Sequence, residues 1–462
     1  MFAKLALSQE LLSVVQELGF EKMTPIQEQA IPPMLEGKDL IGQSKTGSGK
    51  TAAFALPILQ KIDLSSRQVQ AMILCPTREL AAQVIKDIRR FGRRLDGLQV
   101  LALSGGQPAR DQLASLQKGV HIIVGTPGRI LDILERGRLD LSDVKTIIMD
   151  EADRMLDMGF KDEMTAIMKK APKQRQTVFF SATFPEAIQE LSRYYQKNPI
   201  KIIIENEKEI QPMIEQILYE YKEDDQVPTL LRALQQHPSK STLIFCNQKA
   251  TVDHLVELIA KQGVSCKALH GDLEQRDRDR VMAMFRNSSI RILIATDVAA
   301  RGLDIDQLEL VINFDFPNSP ETYIHRIGRV GRAGRKGLAV TLVKPFDGMK
   351  ILEIETVTKV KFLKPNLGFK NQFGLALAMK DSSMETLLIS GGRQDKLRPG
   401  DILGALTGES GGFQASDIGQ IEILDRCAYI AVSTTIAGQA LDKLRTGKIK
   451  GRKFRVSLAQ GK

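Results

Sequence analysis

Tryptophan is absent from the 462 residues, and aromatic residues of all kinds make up only 5% of the chain. A partner held through many stacked rings would need more aromatic side chains than this. No apolar run reaches the roughly 18 residues that a membrane helix requires. The first ten residues also lack the order of cations and apolar residues that marks a secretory signal. We therefore expect a cytoplasmic protein that has no membrane partner.

Cysteine is scarce, and its spacing excludes the usual metal and redox motifs. The four cysteines (Cys75, Cys246, Cys266 and Cys427) form no CxxC pair. Scattered cysteines of this kind are typical of reduced, buried thiols.

Acidic residues are outnumbered, with 55 Asp and Glu against 65 Lys and Arg, which gives a formal net charge of +10. Such an excess favours a polyanionic partner, although it can also serve solubility alone. Because aromatic residues are few, we expect such a partner to be held mainly through its phosphate backbone.

Short apolar runs alternate with amphipathic helical stretches, and this pattern occurs twice. The runs are residues 71–75, 100–103, 121–124, 146–149 and 177–180, then 242–246, 265–269, 291–295, 310–314 and 338–342. Alternation of this kind predicts open α/β sheets of buried parallel strands with helices on both faces. A polar stretch at residues 205–212 is the expected linker between the two copies.

The α/β rhythm stops near residues 361–381, and the remaining segment has a different order. We predict strand 386–390, helix 399–407, strands 418–424 and 428–433, helix 438–446 and strand 453–458. This βαββαβ order is the small α+β arrangement used by RNA-recognition domains. The expected domains are therefore residues 1–205, 213–360 and 382–462.

A glycine-rich loop follows the short strand candidate at residues 38–41 and precedes a helix that begins near Thr51. Backbone N–H groups of such a loop can surround phosphates, and the helix N-terminus adds positive potential. Lys50 would then reach the β and γ phosphates and Thr51 would hold Mg²⁺. The usual pattern has glycine where this chain has Ser44. The predicted nucleotide-binding residues are Thr46, Gly47, Ser48, Gly49, Lys50 and Thr51.

A second element strengthens this interpretation, because the apolar strand at residues 146–149 runs into Asp150 and Glu151. Mg²⁺ prefers carboxylate oxygens, so Asp150 is a candidate for a second contact with the metal. Glu151 could orient or deprotonate an attacking water.

The third element lies in the second copy, where Arg329 and Arg332 are three residues apart. Arginine is planar and always charged, so it suits a phosphoryl group in transit. We expect these side chains to reach the ATP held by the first copy. A patch that binds RNA phosphates remains the alternative.

In order and form these elements resemble the DEAD-box ATP-dependent RNA helicases over residues 1 to about 360. Additional motifs of the family are Thr24-Pro25-Ile26-Gln27, Pro76-Thr77-Arg78-Glu79-Leu80, Asp150-Glu151-Ala152-Asp153, Ser181-Ala182-Thr183 and His325 to Arg332. The resemblance implies two tandem RecA-like domains and an RNA-dependent ATPase that uses ATP and Mg²⁺.

Particular roles follow from the same resemblance. It implies that Gln27 reads the adenine edge, that Phe20 packs on the ring and that Asp304 touches the ribose. Ser181 and Thr183 would couple the nucleotide and RNA sites through hydrogen bonds to the Asp150–Asp153 loop. RNA-backbone contacts are implied for Thr77, Arg78, Gly106, Thr126, Gly128, Arg129, Gln275, Arg278 and Thr296. For any one of these residues, an ordinary turn role remains open.

The third segment resembles the C-terminal domain of the bacterial DbpA helicases, in residues 398–408 and 447–451. In that subfamily the domain recognises a hairpin of large-subunit (23S) ribosomal RNA, which implies a role in large-subunit assembly on a pre-ribosomal particle. Its first predicted strand has no aromatic residue and its third has only Tyr429. We expect RNA to contact basic side chains instead: Lys448, Lys450, Arg452 and Lys453. A solvated turn and edge strand remains the alternative there.

From this resemblance we expect the chain to separate short RNA duplexes locally. Two other classes stay open. An ATP-gated RNA clamp that unwinds nothing would share the same motifs. A DNA translocase would share the core, but the Asp150–Asp153 motif and the RNA-type third domain argue against a DNA partner.

Overall fold

The computed structural model describes residues 2–44, 47–106, 109–204, 214–222, 225–300, 308–331, 336–358, 360–365, 382–408 and 412–460. These residues divide into two compact units, one that ends at residue 204 and one that begins at residue 214. Within this part of the chain, no helix has both the length and the apolar character needed to cross a membrane.

The first unit is built on a parallel sheet with the strand order β3-β4-β2-β5-β6-β1-β7. Its strands are β1 Leu40–Gln43, β2 Ala71–Leu74, β3 Val100–Leu103, β4 Ile122–Gly125, β5 Thr146–Asp150, β6 Gln176–Ser181 and β7 Ile200–Ile203. The central strands are buried on both faces, which explains why they read as continuous apolar runs.

Helices cover both faces of this sheet. They are α1 Gln9–Glu17, α2 Pro25–Leu35, α3 Lys50–Lys61, α4 Arg78–Phe91, α5 Ala109–Lys118, α6 Pro127–Glu135, α7 Ala152–Asp157, α8 Lys161–Lys170 and α9 Glu186–Tyr195. Alternate strand residues enter two separate cores. Ile148 packs with Phe54 and Val84 on one face, whereas Met149 packs with Ile130 on the other.

The second unit begins with another parallel sheet, in the order β10-β11-β9-β12-β13-β8. Its strands are β8 Ile214–Glu220, β9 Thr242–Cys246, β10 Cys266–Leu269, β11 Ile292–Thr296, β12 Leu310–Asn313 and β13 Gly337–Val343. Its helices are α10 Gln226–Gln236, α11 Lys249–Lys261, α12 Gln275–Arg286, α13 Asp297–Ala300, α14 Pro320–Ile327 and α15 Gly348–Thr358.

The same unit ends with a four-stranded antiparallel sheet in the order β15-β16-β14-β17. Its elements are β14 Met384–Ile389, α16 Pro399–Thr407, β15 Ile418–Ile423, β16 Ala428–Ser433, α17 Ala437–Thr446 and β17 Val456–Leu458. The two helices pack on one face of this sheet around Leu387, Ile402 and Leu444.

The predicted fold class is confirmed: two RecA-like parallel-sheet domains precede a small βαββαβ domain. Two predicted strands are displaced along the chain, and strands β7 and β8 were not named among the predicted runs. The first strand lies at residues 40–43 instead of 38–41, and the last strand begins at Val456 instead of Lys453. The linker predicted at residues 205–212 and most of the boundary near 361–381 lie outside the described residues, so the domain limits stay a prediction.

Candidate active site

The predicted site residues of the first unit lie along one edge of its sheet. Because all seven strands are parallel, their carboxyl ends meet at that edge, where α/β sheets bind ligands. Residues expected to contact nucleotide or its metal follow β1 and β5, and the expected coupling residues follow β6, which lies between those two strands. Residues expected to contact RNA follow β3, β4 and β2, the neighbouring strands on the other side of β5.

The glycine-rich loop has the geometry of a phosphate-binding loop. Gly47 and Gly49 both have positive φ, at 83° and 90°, and α3 begins at Lys50 directly afterwards. Lys50 is only 7% exposed, and its Nζ donates a hydrogen bond to the carbonyl oxygen of Ser44 at 3.0 Å. The hydroxyls of Ser44 and Ser48 share a hydrogen bond of 3.0 Å, so the serine at position 44 connects the two ends of the loop.

Gln27 connects this loop to the start of α2 through two hydrogen bonds. Its Oε1 accepts from the Thr24 N–H at 3.0 Å, and its Nε2 donates to the Gly49 carbonyl at 3.1 Å. The side chain is 1% exposed. Phe20 is half-buried and its ring packs against those of Phe2 and Phe91. Adenine recognition by Gln27 and Phe20 stays a prediction.

Asp150 ends β5 with its carboxylate buried beside this loop, and the residue is 3% exposed. Burial raises the pKa of Asp150 to about 6, while the positive charge of Lys50 opposes the shift and Glu151 adds to it. Its Oδ1 is buried and has no hydrogen-bond partner among the described residues. A buried carboxylate oxygen without a partner is expensive unless a cation or donor satisfies it.

This oxygen and the Thr51 hydroxyl, in the first turn of α3, fit the Mg²⁺ that accompanies a nucleotide. Mg²⁺ commonly takes one or two carboxylates from the protein and its other ligands from phosphates and water. The oxygen donors predicted from sequence are therefore suited to that metal.

Glu151 occupies a left-handed backbone conformation, with φ of 54°, and so turns away from the line of the strand. Its Oε2 accepts a hydrogen bond from Arg154 Nη1 at 2.5 Å, and both side chains are buried. The sequence analysis missed Arg154. Its spacing of three residues from Glu151 within a short helix was the available signal.

Ser181 and Thr183, at the end of β6, hydrogen-bond the loop after β5. The Asp153 N–H donates to Ser181 Oγ at 3.2 Å. Asp153 Oδ2 accepts from both the N–H and the hydroxyl of Thr183, each at 2.8 Å. These contacts are the ones expected of coupling residues, and the coupling itself stays a prediction.

Most predicted RNA contacts of the first unit occupy turns and helix starts at the same edge. Thr77 caps α4 and accepts from the Leu80 N–H, and Arg78 lies exposed beside it and close to Gly105. Thr126 caps α6, and Gly106 has φ of 81° in the turn after β3.

The two remaining residues differ in their surroundings. Gly128 is exposed in the first turn of α6, with open space around the position of a Cβ atom. Arg129 is engaged within the domain, since its Nε donates to Gln112 and its Nη1 pairs with Asp132 at 2.8 Å.

In the second unit, α12 brings Gln275 and Arg278 to the edge where β11 ends. Arg278 Nη2 donates to the Ala299 carbonyl at 3.4 Å, and Thr296 is the last residue of β11. Gln275 donates to Asp279 at 2.8 Å. Arg329 follows α14 and is 4% exposed.

Arg326, which the sequence analysis missed, organises this edge. It is 1% exposed, and it donates to Asp297, Asn247 and the Asp315 carbonyl at 2.6 to 2.8 Å. A buried arginine with these partners fixes the ends of three strands relative to α14.

Three predicted site residues (Thr46, Asp304 and Arg332) lie outside the described residues. The expected approach of Arg329 and Arg332 to the bound nucleotide stays a prediction.

Cations of the third domain cluster in the segment between α17 and β17. Lys448, Lys450, Arg452 and Lys453 are all exposed. Lys450 Nζ donates to the Lys396 carbonyl at 2.9 Å and lies 3.6 Å from Asp401.

Comparisons with known proteins agree with this arrangement. The DEAD/DEAH box helicase model matches residues 24–191, the helicase conserved C-terminal domain matches 225–334, and the DbpA RNA binding domain matches 386–458. The ATP-dependent RNA helicase DbpA of Escherichia coli (strain K12) is 46% identical over 448 residues, which cover 97% of this chain and 96% of that protein.

The chain is a DEAD-box ATP-dependent RNA helicase of the DbpA subfamily. As such it binds RNA and is an RNA-dependent ATPase. The DEAD-box helicase CshA of Streptococcus pneumoniae serotype 4 is 42% identical over 393 residues, covering 84% of the helicase and 75% of its relative. The structure of S. cerevisiae Dbp5 bound to RNA and ADP BeF3 matches with a TM-score of 0.72 at 32% identity, covering 79% of this chain and 95% of that one.

Proposed function

We propose that this helicase acts in the cytoplasm on large-subunit (23S) ribosomal RNA within a pre-ribosomal particle, where it locally separates short duplexes during assembly. The observation that carries the proposal is the exposed cationic segment of a DbpA-type domain, at residues 448–453. Cations of this kind bind the RNA backbone and make affinity depend strongly on salt.

The catalytic part of the proposal assigns a role to each buried group. Lys50 binds the β and γ phosphates, and Thr51 and Asp150 hold Mg²⁺. When bound, this ion would neutralise charge that develops on the transferred phosphoryl group. Glu151 orients the attacking water and accepts its proton, while the ion pair with Arg154 holds the carboxylate in position.

RNA then enters through the neighbouring strand ends. Ser181 and Thr183 hydrogen-bond the loop that carries Asp150, Glu151 and Asp153. RNA bound at Thr77, Arg78 and Thr126 would shift the β2 and β4 ends of the same sheet. We infer that this shared edge is the physical link between RNA binding and hydrolysis.

The test of targeting uses the full chain with Lys448, Lys450, Arg452 and Lys453 all changed to alanine. ATPase rates are titrated with a large-subunit hairpin fragment and with an unrelated hairpin. We expect the variant to need at least about tenfold more of the ribosomal fragment for half-maximal stimulation, with an unchanged plateau, because only RNA affinity is lost.

A matched control removes the same four charges elsewhere. Lys169, Lys170, Lys173 and Lys201 are exposed on the first unit, away from the carboxyl edge of the sheet. Their alanine variant should behave as the parent. Equal responses of the two variants, or no preference for the ribosomal fragment in the parent, would refute the targeting proposal.

A further inference from the structure

The antiparallel sheet of the third domain has buried residues on both faces of its central strands, β14 and β16. Along β14 and β16, side chains alternate, and Leu387 and Ile430 point to the face covered by α16 and α17. Thr386 and Tyr429 point to the opposite face, yet they are only 3% and 1% exposed. Something outside the domain's own helices therefore covers this second face.

The cover is helix α12 of the second helicase domain together with the turn after it. Ser289 and Thr386 share a hydroxyl–hydroxyl hydrogen bond of 2.6 Å, and Asn287 Nδ2 donates to Thr386 Oγ1 at 3.2 Å. On the edge strand β15, two strands away from β14, Arg286 Nη2 pairs with Glu422 at 3.0 Å. These contacts join segments 97 to 136 residues apart in the chain.

Charged residues of α12 also affect the pKa of Tyr429, which lies on this second face of the sheet. Burial raises the pKa of Tyr429, and Cys427 and Asp279 raise it further while Arg280 opposes them. Asp279 and Arg280 belong to α12, which places this helix against the outer side of β16. Hydrogen bonds, an ion pair and buried surface thus define one continuous contact.

RNA-recognition domains of the usual kind stack bases on this face of the sheet. Here α12 occupies it, and the exposed cations of residues 448–453 lie in the segment that leads to the edge strand β17. The same α12 carries Gln275 and Arg278, the expected RNA contacts of the second helicase domain. One helix therefore carries the expected RNA contacts of the second helicase domain and also covers the sheet of the third domain.

We propose that the outer face of this sheet is a docking surface for α12, and that it fixes the third domain to the second helicase domain as one rigid body. A hairpin held at residues 448–453 then lies at a set distance from the RNA-binding edge near Gln275 and Arg278. The helicase consequently selects duplexes by their spacing from the hairpin. This inference rests on the proposed function of the third domain.

Two kinds of variant open the contact in the full-length protein. Thr386→Arg puts a large cation into the buried face without touching the domain's own core. Glu422→Arg sets two arginines against each other, and the swapped pair Arg286→Glu with Glu422→Arg restores the attraction. Gln439→Arg, on the exposed side of α17, adds one charge away from the contact and is the control.

Docking itself is measured without RNA, through the thiol of Cys427. This cysteine is half-buried, and Asp279 and Arg276 of α12 lie close enough to affect the pKa of its thiol. The other three cysteines are buried in the helicase domains. At fixed pH, Cys427 should react with a thiol reagent at least about tenfold faster in Thr386→Arg and Glu422→Arg. The swapped pair and the control should match the parent.

Function is measured with RNAs in which a single-stranded spacer of varied length separates the hairpin from a short duplex. The parent should unwind best at one spacer length and more slowly on either side, because a rigid body fixes the reach. The two opened variants should lose this maximum, and the swapped pair should regain it.

The outcomes separate this inference from the proposal beneath it. An unchanged Cys427 rate in both opened variants, or a parent that unwinds equally at all spacings while binding the hairpin, overturns the docking inference alone. If hairpin binding is unchanged when the cations of residues 448–453 are removed, the targeting proposal is refuted instead. If Thr386→Arg unfolds the domain, seen as lost hairpin binding, the charge swap still decides.

Discussion

Asp150 and Glu151 are adjacent carboxylates with different surroundings. Asp150 has a buried oxygen that no described residue satisfies, while Glu151 is paired with Arg154. The arrangement at Asp150 suits a group that binds a cation. The arrangement at Glu151 suits a group whose position must not change, because a buried ion pair has little freedom to reorient.

Glu151→Gln should stop turnover and keep nucleotide binding. Loss of a general base typically costs about 10² to 10⁴ in rate, and the phosphate loop does not depend on this carboxylate. Single-turnover hydrolysis and nucleotide titration measure the two properties. Asp162→Asn, at the exposed start of α8, is the control and should change neither. If Glu151→Gln hydrolyses ATP at the parent rate, Glu151 is not the residue that activates the attacking water.

The affinity for ATP with Mg²⁺ should fall as the pH drops below about 6. The pKa of Asp150 is raised to about 6, so the carboxylate that would bind the metal becomes protonated below that value. Each further pH unit should then weaken binding by up to about tenfold.

Asp150→Asn is the control for this titration, because phosphate groups titrate in the same range. The variant should bind more weakly at neutral pH and keep only the pH dependence of the nucleotide. If the affinity of both proteins for ATP with Mg²⁺ falls equally as the pH drops, Asp150 does not contribute to this pH dependence.

At the scale of elements, the phosphate loop depends on a close approach between Gly49 and α2. A Cβ atom at Gly49 would lie 2.4 Å from Gln27 Nε2, and the backbone has φ of 90°. At Gly47, with φ of 83°, a Cβ atom would meet nothing within 4 Å. The two glycines therefore separate backbone strain from steric contact.

Gly47→Ala should lower the free energy of unfolding by about 1 to 2 kcal/mol, the usual cost of a left-handed residue with a side chain. Gly49→Ala should cost more and should also abolish nucleotide binding, since Gln27 must leave the loop. Denaturant unfolding and nucleotide titration test both expectations. Equal losses in the two variants would mean that the contact with Gln27 is unimportant.

Most strands other than β7 and β8 were predictable because each of them has a local cause. Buried parallel strands require apolar runs, and α16 was predicted at its observed limits because Pro399 begins it and Gly408 follows it. The loop at Lys50 and the carboxylates at Asp150 and Glu151 were visible for the same reason. Their spacing along the chain is what places them at strand ends.

Long-range partners could not be predicted in this way. Arg326 is one of several arginines in its segment, and only the fold brings it to Asn247 and Asp297. The covered sheet face is similar, since Thr386 looks like any strand threonine until Ser289 is placed against it. The sequence predicted that bases would not stack on this face, but it did not reveal the helix that covers it.

At the scale of the whole molecule, the proposed function requires three regions: a nucleotide site in the first unit, RNA contacts on two sheet edges, and a cationic segment in the third domain. Four cations, Lys448, Lys450, Arg452 and Lys453, lie exposed within six residues in the last of these regions. In the proposed function, this region supplies affinity for a hairpin, and the ATPase supplies the work of strand separation.

The most direct measurement is ATP-dependent strand release from two RNAs, a short duplex joined to the large-subunit hairpin and the same duplex alone. We expect release from both RNAs, faster by at least about tenfold on the joined substrate at limiting protein, because the hairpin raises the local concentration of enzyme. RNA and ATP binding without release would identify a clamp. Equal release from the two RNAs would contradict targeting by the third domain.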